Sequence, residues 1–371
     1  MITLIATVAM GLESVLSREL KNLGYENLRV DNGKIEFDAE LQDICKTNLW
    51  LRTAGRIFLK IAEFKATTFD ELFEKTKKLH WSDWIGKDDY FPVTKVSSRK
   101  SILFSKSDSQ AIVNKAVAES LKKSYKVDTL PETGGEFPIR IQIENDMVVL
   151  SIDTSGDGLH KRGYRSHMNA APLRETLAAA LILLSRWNPE EDALMDPMCG
   201  TGTLLIEAGL IAKNIAPGLK RKFISEYWRA LSPEIWEKER SLAREQIKHD
   251  VKPRILGSDI DSGVLSIARE NIAIAGLDDI FVQTLDMEDS SSRYERGKVI
   301  TNPPYGERLG DREDAEKLYK KMGKSFRKNF KGWHYYVLTS NEEFETMFGK
   351  RCTRKRKLFN GSIRCDFYHY Y

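Results

Sequence analysis

Asp196-Pro197-Met198-Cys199-Gly200-Thr201-Gly202-Thr203 is the stretch that decides how this 371-residue chain folds. Ala193-Leu194-Met195 ahead of it is a short apolar run suited to a buried parallel strand. Leu204-Leu205-Ile206-Glu207-Ala208-Gly209-Leu210 behind it predicts a helix entered at Thr203. A strand that breaks into Gly-rich backbone and then a helix opens a nucleotide-binding α/β unit. Gly200 and Gly202 let the backbone approach a ligand where a Cβ would collide. The spacing is not G-x-G-x-x-G, and Asp196 stands where a pyrophosphate would be repelled. A carboxylate there suits a ligand carrying a sulfonium and an amino group, which points away from NAD and towards S-adenosylmethionine. Taken alone, the loop is equally a tight turn.

About a hundred residues on, Lys298-Val299-Ile300-Thr301 reads as another short strand and runs into Asn302-Pro303-Pro304-Tyr305-Gly306. The carboxyl ends of strands are where open α/β sheets bind ligands. Both prolines lack an N–H and stiffen the loop, so it cannot continue the ladder. That stiffness fixes the Asn302 amide oxygen and a backbone carbonyl as directed acceptors. An exocyclic amine on a base ring is a poor nucleophile because its lone pair is delocalised. Two acceptors holding its protons favour a pyramidal nitrogen and free that lone pair for a methyl donor, while Tyr305 offers a face for stacking. The alternative is an Asn-Pro-Pro turn that merely caps a strand; the pairing with the Gly loop argues against it.

These two motifs together resemble the class I amino-methyltransferases that modify exocyclic nitrogens of nucleobases. Leu159-His160-Lys161-Arg162-Gly163-Tyr164-Arg165 and Pro172-Leu173-Arg174-Glu175-Thr176-Leu177-Ala178 narrow the resemblance. They are similar to the THUMP-containing RNA guanine-N2 methyltransferases, closest to the bacterial large-subunit rRNA enzymes, over nearly the whole chain. The resemblance implies a Rossmann-like class I methyltransferase of α/β class, a doubly wound sheet with an antiparallel C-terminal hairpin, preceded by α+β ferredoxin-like and THUMP modules. It implies S-adenosylmethionine as cofactor, no metal, and methylation of guanine N2 in structured RNA such as 23S rRNA. Guanine-N2 methylation of tRNA, N6 methylation of adenine, and a catalytically inactive RNA-binding ribosome assembly factor are the alternatives. Intact Asp196, Gly200, Gly202 and Asn302 speak against the last.

With 58 Lys+Arg against 54 Asp+Glu the formal charge is +4, too even to name a nucleic-acid partner, so local distribution decides. No apolar run approaches the ~18 residues of a membrane helix. Met1-Ile2-Thr3-Leu4-Ile5-Ala6-Thr7 lacks a basic n-region and reads as a strand, not a signal peptide. Cys45, Cys199, Cys352 and Cys365 form no C-x-x-C pair, which disfavours a disulfide scaffold or zinc site and places the expectation in the cytoplasm.

Three units are expected, at 1–60, 61–155 and 156–371. The first begins β-α-β-β: Leu12, Val15, Leu16 and Leu20 share a helical face, and Asp31-Asn32-Gly33 is a turn between strands. Its last strand is the alternating Arg56-Ile57-Phe58-Leu59-Lys60-Ile61. The second holds a helix over 110–121 and a hairpin of 139–143 with 147–152. Its window 95–126 carries eight Lys/Arg against Asp108 and Glu119. A solvated surface is the plain account of that excess. The THUMP resemblance turns it into an RNA surface of Arg99, Lys100, Lys106, Lys115 and Lys122. Lys161, Arg162 and Arg165, in the connector, are either linker charges or groups that track phosphate or shape the cofactor pocket.

In the third unit Pro172 starts a helix, and 216–251 reads as a charged helical insert with Trp228, Leu231, Ile235, Trp236 and Leu242 on one face. Asp259, ending the strand Arg254-Ile255-Leu256-Gly257-Ser258-Asp259, is placed to accept the ribose hydroxyls of the cofactor. Asp261 reads as a helix N-cap. Asp286 and Met287, ending a third strand, suit the adenine amine and ring, with a turn cap as the other reading of Asp286. The expected cofactor set is therefore Asp196, Pro197, Cys199, Gly200, Gly202, Thr203, Asp259, Ile260, Asp286, Met287 and Asn302, and the expected catalytic loop is Asn302, Pro303, Pro304 and Tyr305. Asn360-Gly361 signals a closing hairpin, and 346–363 holds six basic residues and no acidic one, a further candidate RNA face.

Overall fold

A computed structural model describes residues 1–165, 173–305 and 312–371; Pro172 and Gly306 lie outside that range. The first half begins β1 (Ile2–Val8), α1 (Glu13–Asn22), β2 (Arg29–Asp31), β3 (Lys34–Ala39), α2 (Asp43–Trp50) and β4 (Ala54–Lys65). Asn32-Gly33 makes the β2–β3 turn with Gly33 at φ +72°, a value that glycine adopts without Cβ strain. The Glu13 carboxylate accepts from the Gly11 and Gly33 amides and so ties α1 to that turn. Helix α2 was not expected.

The chain continues with α3 (Phe69–Lys77), β5 (Val93–Arg99), α4 (Lys106–Tyr125), β6 (Ile139–Glu144) and β7 (Met147–Asp153). Thr68 and Ser105 cap α3 and α4 through their side-chain oxygens, which is why both helices start where they do. Helix α4 is longer at both ends than the 110–121 pattern implied. The ferredoxin-like unit and the next module do not form separate sheets. Long β4 pairs with β1 along one edge and with β7 along the other, Phe58 facing Asp153 and Lys65 facing Met147. One seven-stranded sheet results, in the order β2-β3-β1-β4-β7-β6-β5.

The second half comprises α5 (Glu175–Ser185), β8 (Ala193–Asp196), α6 (Thr203–Ala212), α7 (Pro233–Glu245), β9 (Ile255–Asp259), α8 (Ser262–Ala275), β10 (Ile280–Thr284), β11 (Gly297–Thr301), α9 (Arg312–Asn329), β12 (His334–Thr339), α10 (Phe344–Phe348), β13 (Arg354–Asn360) and β14 (Ile363–Tyr370). Its sheet runs β10-β9-β8-β11-β12-β14-β13, parallel through β12 and antiparallel beyond it. From β8 the chain steps outward to β9 and β10, then crosses back to β11. The strand order therefore reverses between β8 and β11, the place where open α/β sheets leave a crevice for ligands.

The insert is mostly not helical. Within it only α7 is an α-helix, with a single 3₁₀ turn at Ile224–Tyr227. It is a wedge joined to the head: Trp228 stacks on Phe137 at 4.7 Å, and its indole N–H donates to the Glu136 carbonyl. Phe223 stacks on Trp236 at 5.1 Å, and the Gly218 amide donates to the Leu49 carbonyl. Trp228, Leu231 and Trp236 are buried as the pattern implied, whereas Leu242 is exposed. This packing against α2 explains that helix, whose Ile44, Cys45 and Leu49 need a second wall to be buried.

Candidate active site

The Gly loop and the Asn302 loop leave neighbouring strands at the switch point, and one buried bond links them. The Thr301 hydroxyl donates to Asp196 Oδ1 at 2.7 Å, and the Met198 amide donates to the same oxygen at 3.2 Å. Asp196, only 2 % exposed, therefore spends one oxygen on joining the two loops. Burial pushes its carboxyl up to about 7, with the nearby Asp259 charge adding to the rise. The folded state therefore binds a proton that the unfolded chain releases near pH ~4, and stability falls as pH rises from about 4 to about 7. Asn keeps the accepting oxygen without the charge. Asp196→Asn is expected to be more stable than wild type above pH 7 and no more stable below pH ~4 in urea titrations; parallel pH curves would refute this.

The rest of the Gly loop is tied to β9. The Cys199 amide donates to the Ser258 carbonyl, the Ser258 hydroxyl reaches the Pro197 carbonyl, and Asn271 donates to the Thr201 carbonyl. Burial keeps the Cys199 thiol protonated, so it acts as packing. Gly200 and Gly202 adopt φ +53° and +81°, and no atom lies within 4 Å of where a Gly200 Cβ would point. The Gly200 amide donates to Asp259 Oδ2 at 2.9 Å, which fixes the carboxylate against the loop. Beside it Ile260 is 71 % exposed, an apolar side chain that folding does not use. Asp286 is half-buried and caps the following turn through the Glu288 amide. Met287 is buried in the core around Tyr319 and Phe326, so it offers no face to a base; Ile260 is the apolar group available at this edge. Open backbone at Gly200, the Asp259 and Asp286 carboxylates and a bare aliphatic face fit a cationic nucleoside bearing a diol, as S-adenosylmethionine does.

The Asn302 loop is held from three sides. Buried Tyr319, on α9, donates its hydroxyl to the Pro304 carbonyl at 3.0 Å and sits 3.0 Å from the Thr339 hydroxyl. Pro303 is buried and Pro304 half-buried. The Tyr305 hydroxyl donates to Asn302 Oδ1, and Cys365 of β14 lies 3.6 Å from that hydroxyl. Tyr305 is partly buried against the core, so its first duty is to orient the Asn302 amide. An amide oxygen has two lone pairs, and the second remains to accept a substrate proton. The Tyr319 and Thr301 contacts had no signal in the sequence, since neither residue type nor spacing marks them.

The basic candidates divide. Arg99, Lys100, Lys106 and Lys115 are exposed on β5, α4 and the loop between them, Lys122 is half-buried, and Lys161 is exposed but paired with Asp157 at 2.8 Å. Arg162 is buried: it pairs with Glu207 at 3.5 Å and donates to the carbonyls of Leu159 and Arg52, leaving nothing to offer a phosphate. Arg165 pairs with Glu175 and donates to the Leu173 carbonyl and, at 3.1 Å, to the Thr203 hydroxyl at the start of α6. Both connector arginines serve the Gly loop's helix from behind. In the 346–363 segment, Arg356 docks on the Gly11 carbonyl and the Ser14 hydroxyl of the head.

Family models match three consecutive segments: an RlmL ferredoxin-like domain over 3–58, a THUMP domain over 66–153, and an RMKL-like methyltransferase domain over 162–369. YpsC of Bacillus subtilis (strain 168) is 47% identical over 100% of this chain and 96% of its own length. The ribosomal RNA large subunit methyltransferase K/L of Methylococcus capsulatus is 34% identical over 97% of this chain; the chain spans about half of that relative's length, 50%. Among solved structures, SMU.472 complexed with SAH is 40% identical at a TM-score of 0.94, covering 100% of this chain and 98% of that one. A structure described as a predicted N6-adenine-specific DNA methylase from Listeria monocytogenes is 45% identical at a TM-score of 0.95, covering 100% and 96%. The likeness to TrmN from Thermus thermophilus, 18% identical at a TM-score of 0.71, is one of fold. With its sheet order, its two switch-point loops and a family model over more than half its length, this chain belongs to the RMKL-like methyltransferase family and uses S-adenosylmethionine.

Proposed function

We propose that the chain methylates the exocyclic N2 amine of a guanine in structured RNA, with 23S rRNA as the substrate class. The observation that carries the chemistry is the pinned Asn302 loop, joined through Thr301 to the loop that cradles the cofactor. The RNA substrate rests on the THUMP match and on relatives named as large-subunit rRNA methyltransferases. When bound, S-adenosylmethionine supplies an electrophilic methyl on a sulfonium. Asn302 and the loop's rigid carbonyls accept the amine protons and direct the nitrogen lone pair. A base within a helix cannot reach this loop and must be flipped out, onto the exposed part of Tyr305. The amine proton leaves after transfer, so the site mainly positions and desolvates its reactants.

Asp259, locked to the Gly200 amide, is proposed to hold the ribose diol. Asp259→Ala is expected to weaken sinefungin binding at least tenfold in calorimetry while RNA affinity stays near wild type. Unchanged sinefungin affinity would remove Asp259 from the site.

The function itself is tested by mass spectrometry of nucleosides from cells lacking the protein. Loss of N2-methylguanosine from large-subunit rRNA is the expected result. Loss from tRNA instead would select the tRNA enzyme. The Listeria neighbour's description favours a second reading, adenine N6, which the same Asn-Pro-Pro-Tyr logic serves; loss of N6-methyladenosine would select it. No change in any fraction would point to a non-catalytic assembly factor.

A further inference from the structure

A cleft of about 1040 Å³ lies between the head and the catalytic half. Its walls include Arg56 of β4, Lys95 of β5, Arg140 of β6, the connector from Gly156 to His160, Arg174 at the start of α5, and Phe359 and Gly361 at the β13–β14 turn. The same hairpin reaches the Asn302 loop, since Cys365 touches the Tyr305 hydroxyl. One wall of the cleft and one support of the methyl-transfer loop are therefore a single element.

The head side of this cleft carries Arg56, Lys95 and Arg140 against Glu136 and Asp153, a net positive wall. Asp153 is the carboxylate between Arg56 and Arg140, and Arg56 takes it at 2.5 Å. The other Asp153 oxygen accepts from the Ser155 and Gly156 amides. Arg140 is left lying over the Phe58 ring at 4.7 Å, with one long contact to Gln142 at 3.5 Å. Its buried Nε has no hydrogen-bond partner among the described residues. Directly across the strand pair from Arg140 stands Lys95, a second cation in register with the first. Like charges facing each other on a sheet are destabilising, and Arg140 shares with Arg56 a single carboxylate that Arg56 engages directly. An anion arriving in the cleft would satisfy both groups.

A small ligand is the poorer occupant, because the volume meets or exceeds the ~300–1,000 Å³ of ordinary small-molecule sites. Positive groups along a groove with aromatic faces beside them describe a channel for a single nucleic-acid strand. We infer that the cleft guides the RNA strand carrying the target base to the Asn302 loop, with a backbone phosphate on Arg140 and Lys95 and an unstacked base beside Phe359. This rests on the RNA reading above and adds the route that the strand takes.

The test uses the full chain and deproteinised large-subunit RNA from cells lacking the protein, with filter binding measured across a salt series. Arg140→Met keeps the packing on Phe58 and removes the charge. It is expected to lower affinity about tenfold at low salt and to flatten the log–log salt slope by about 0.7–0.9, the share of one phosphate contact. Its melting temperature should equal or exceed that of wild type. Lys95→Gln, on an exposed side chain, should flatten the slope in the same way, and Arg140→Lys should restore it. If wild type binds this RNA with a steep salt slope and both neutral variants match it, the cleft is not the route, while the RNA reading stands. If Arg140→Met melts lower and loses affinity with its slope unchanged, Arg140 is structural and the inference fails. If wild type binds the RNA without salt dependence, or does not bind it, the RNA reading falls and the inference with it.

Discussion

Asn302→Ala is expected to slow single-turnover methyl transfer about a hundred- to a thousandfold, by analogy with the loss of one preorganised oxyanion-hole donor. That corresponds to about 3–4 kcal/mol of transition-state stabilisation. The defect should lie in kcat, because the amide oxygen gains most from the amine proton as the nitrogen becomes pyramidal, not in the ground state. Sinefungin and RNA should bind near normally, since Pro303, Pro304 and the Tyr319 bond hold the loop without the amide. Asn302→Asp keeps an acceptor and should retain more activity than Ala. The Tyr305 hydroxyl spends its hydrogen on Asn302 Oδ1, so Tyr305→Phe should loosen the amide and slow transfer by a smaller factor, with stacking intact. An Asn302→Ala enzyme that methylates at the wild-type rate would reduce the motif to a turn.

The second large effect is on stability. Arg162→Leu is expected to destabilise the protein by about 3–5 kcal/mol in urea unfolding near neutral pH, the usual result of removing one partner of a buried pair. Both side chains are essentially sealed, at 3% and 0% exposure, and Tyr164 adds a hydrogen bond to the same Glu207 oxygen at 3.1 Å. Burial already raises the Glu207 carboxyl above its usual value despite Arg162. Without the guanidinium it should rise further, so the penalty is small at low pH, where Glu207 is protonated, and grows as pH rises. Replacing both residues with Leu should recover much of the loss, because the uncompensated charge goes with its partner. A surface phosphate contact would behave oppositely, leaving unfolding unchanged and weakening RNA binding alone.

That contrast marks what the sequence could and could not reveal. The two loops, their strands and the acidic end of β9 follow from local patterns: apolar runs broken by Gly or Pro, and an acid where a strand must stop. The structure puts Asp196, Asp259 and Asn302 at strand ends beside one crevice for the same local reasons. Arg162 could not be read this way. Its partner Glu207 lies 45 positions away on another element, and an arginine in a Gly-containing linker looks solvated until the fold encloses it. Helix α2 failed for a related reason. Asp43-Ile44-Cys45-Lys46-Thr47-Asn48-Leu49-Trp50 mixes weak helix formers, and Asn48 is buried there because Thr154 and Ser155 satisfy its amide. Met287 was misjudged through its position after a strand; the chain turns into a 3₁₀ segment first and buries it.

The position of β14 between β12 and β13 also sets an order of events during translation. The head's sheet has its last strand once Asp153 has left the ribosome. The catalytic sheet cannot close until the segment from Ile363 to Tyr370 emerges, because β12 has no other partner on that side and β13 is joined only through β14. At ordinary elongation rates the interval is on the order of ten to forty seconds. For the last few seconds of that interval, from the emergence of Thr339 to that of Tyr370, β12 presents an open, apolar edge, Tyr335 to Thr339. A message truncated between Thr339 and Ile363 would yield a closed head sheet bearing a catalytic sheet whose β12 edge can pair only with a neighbour, a substrate for chaperones and proteases.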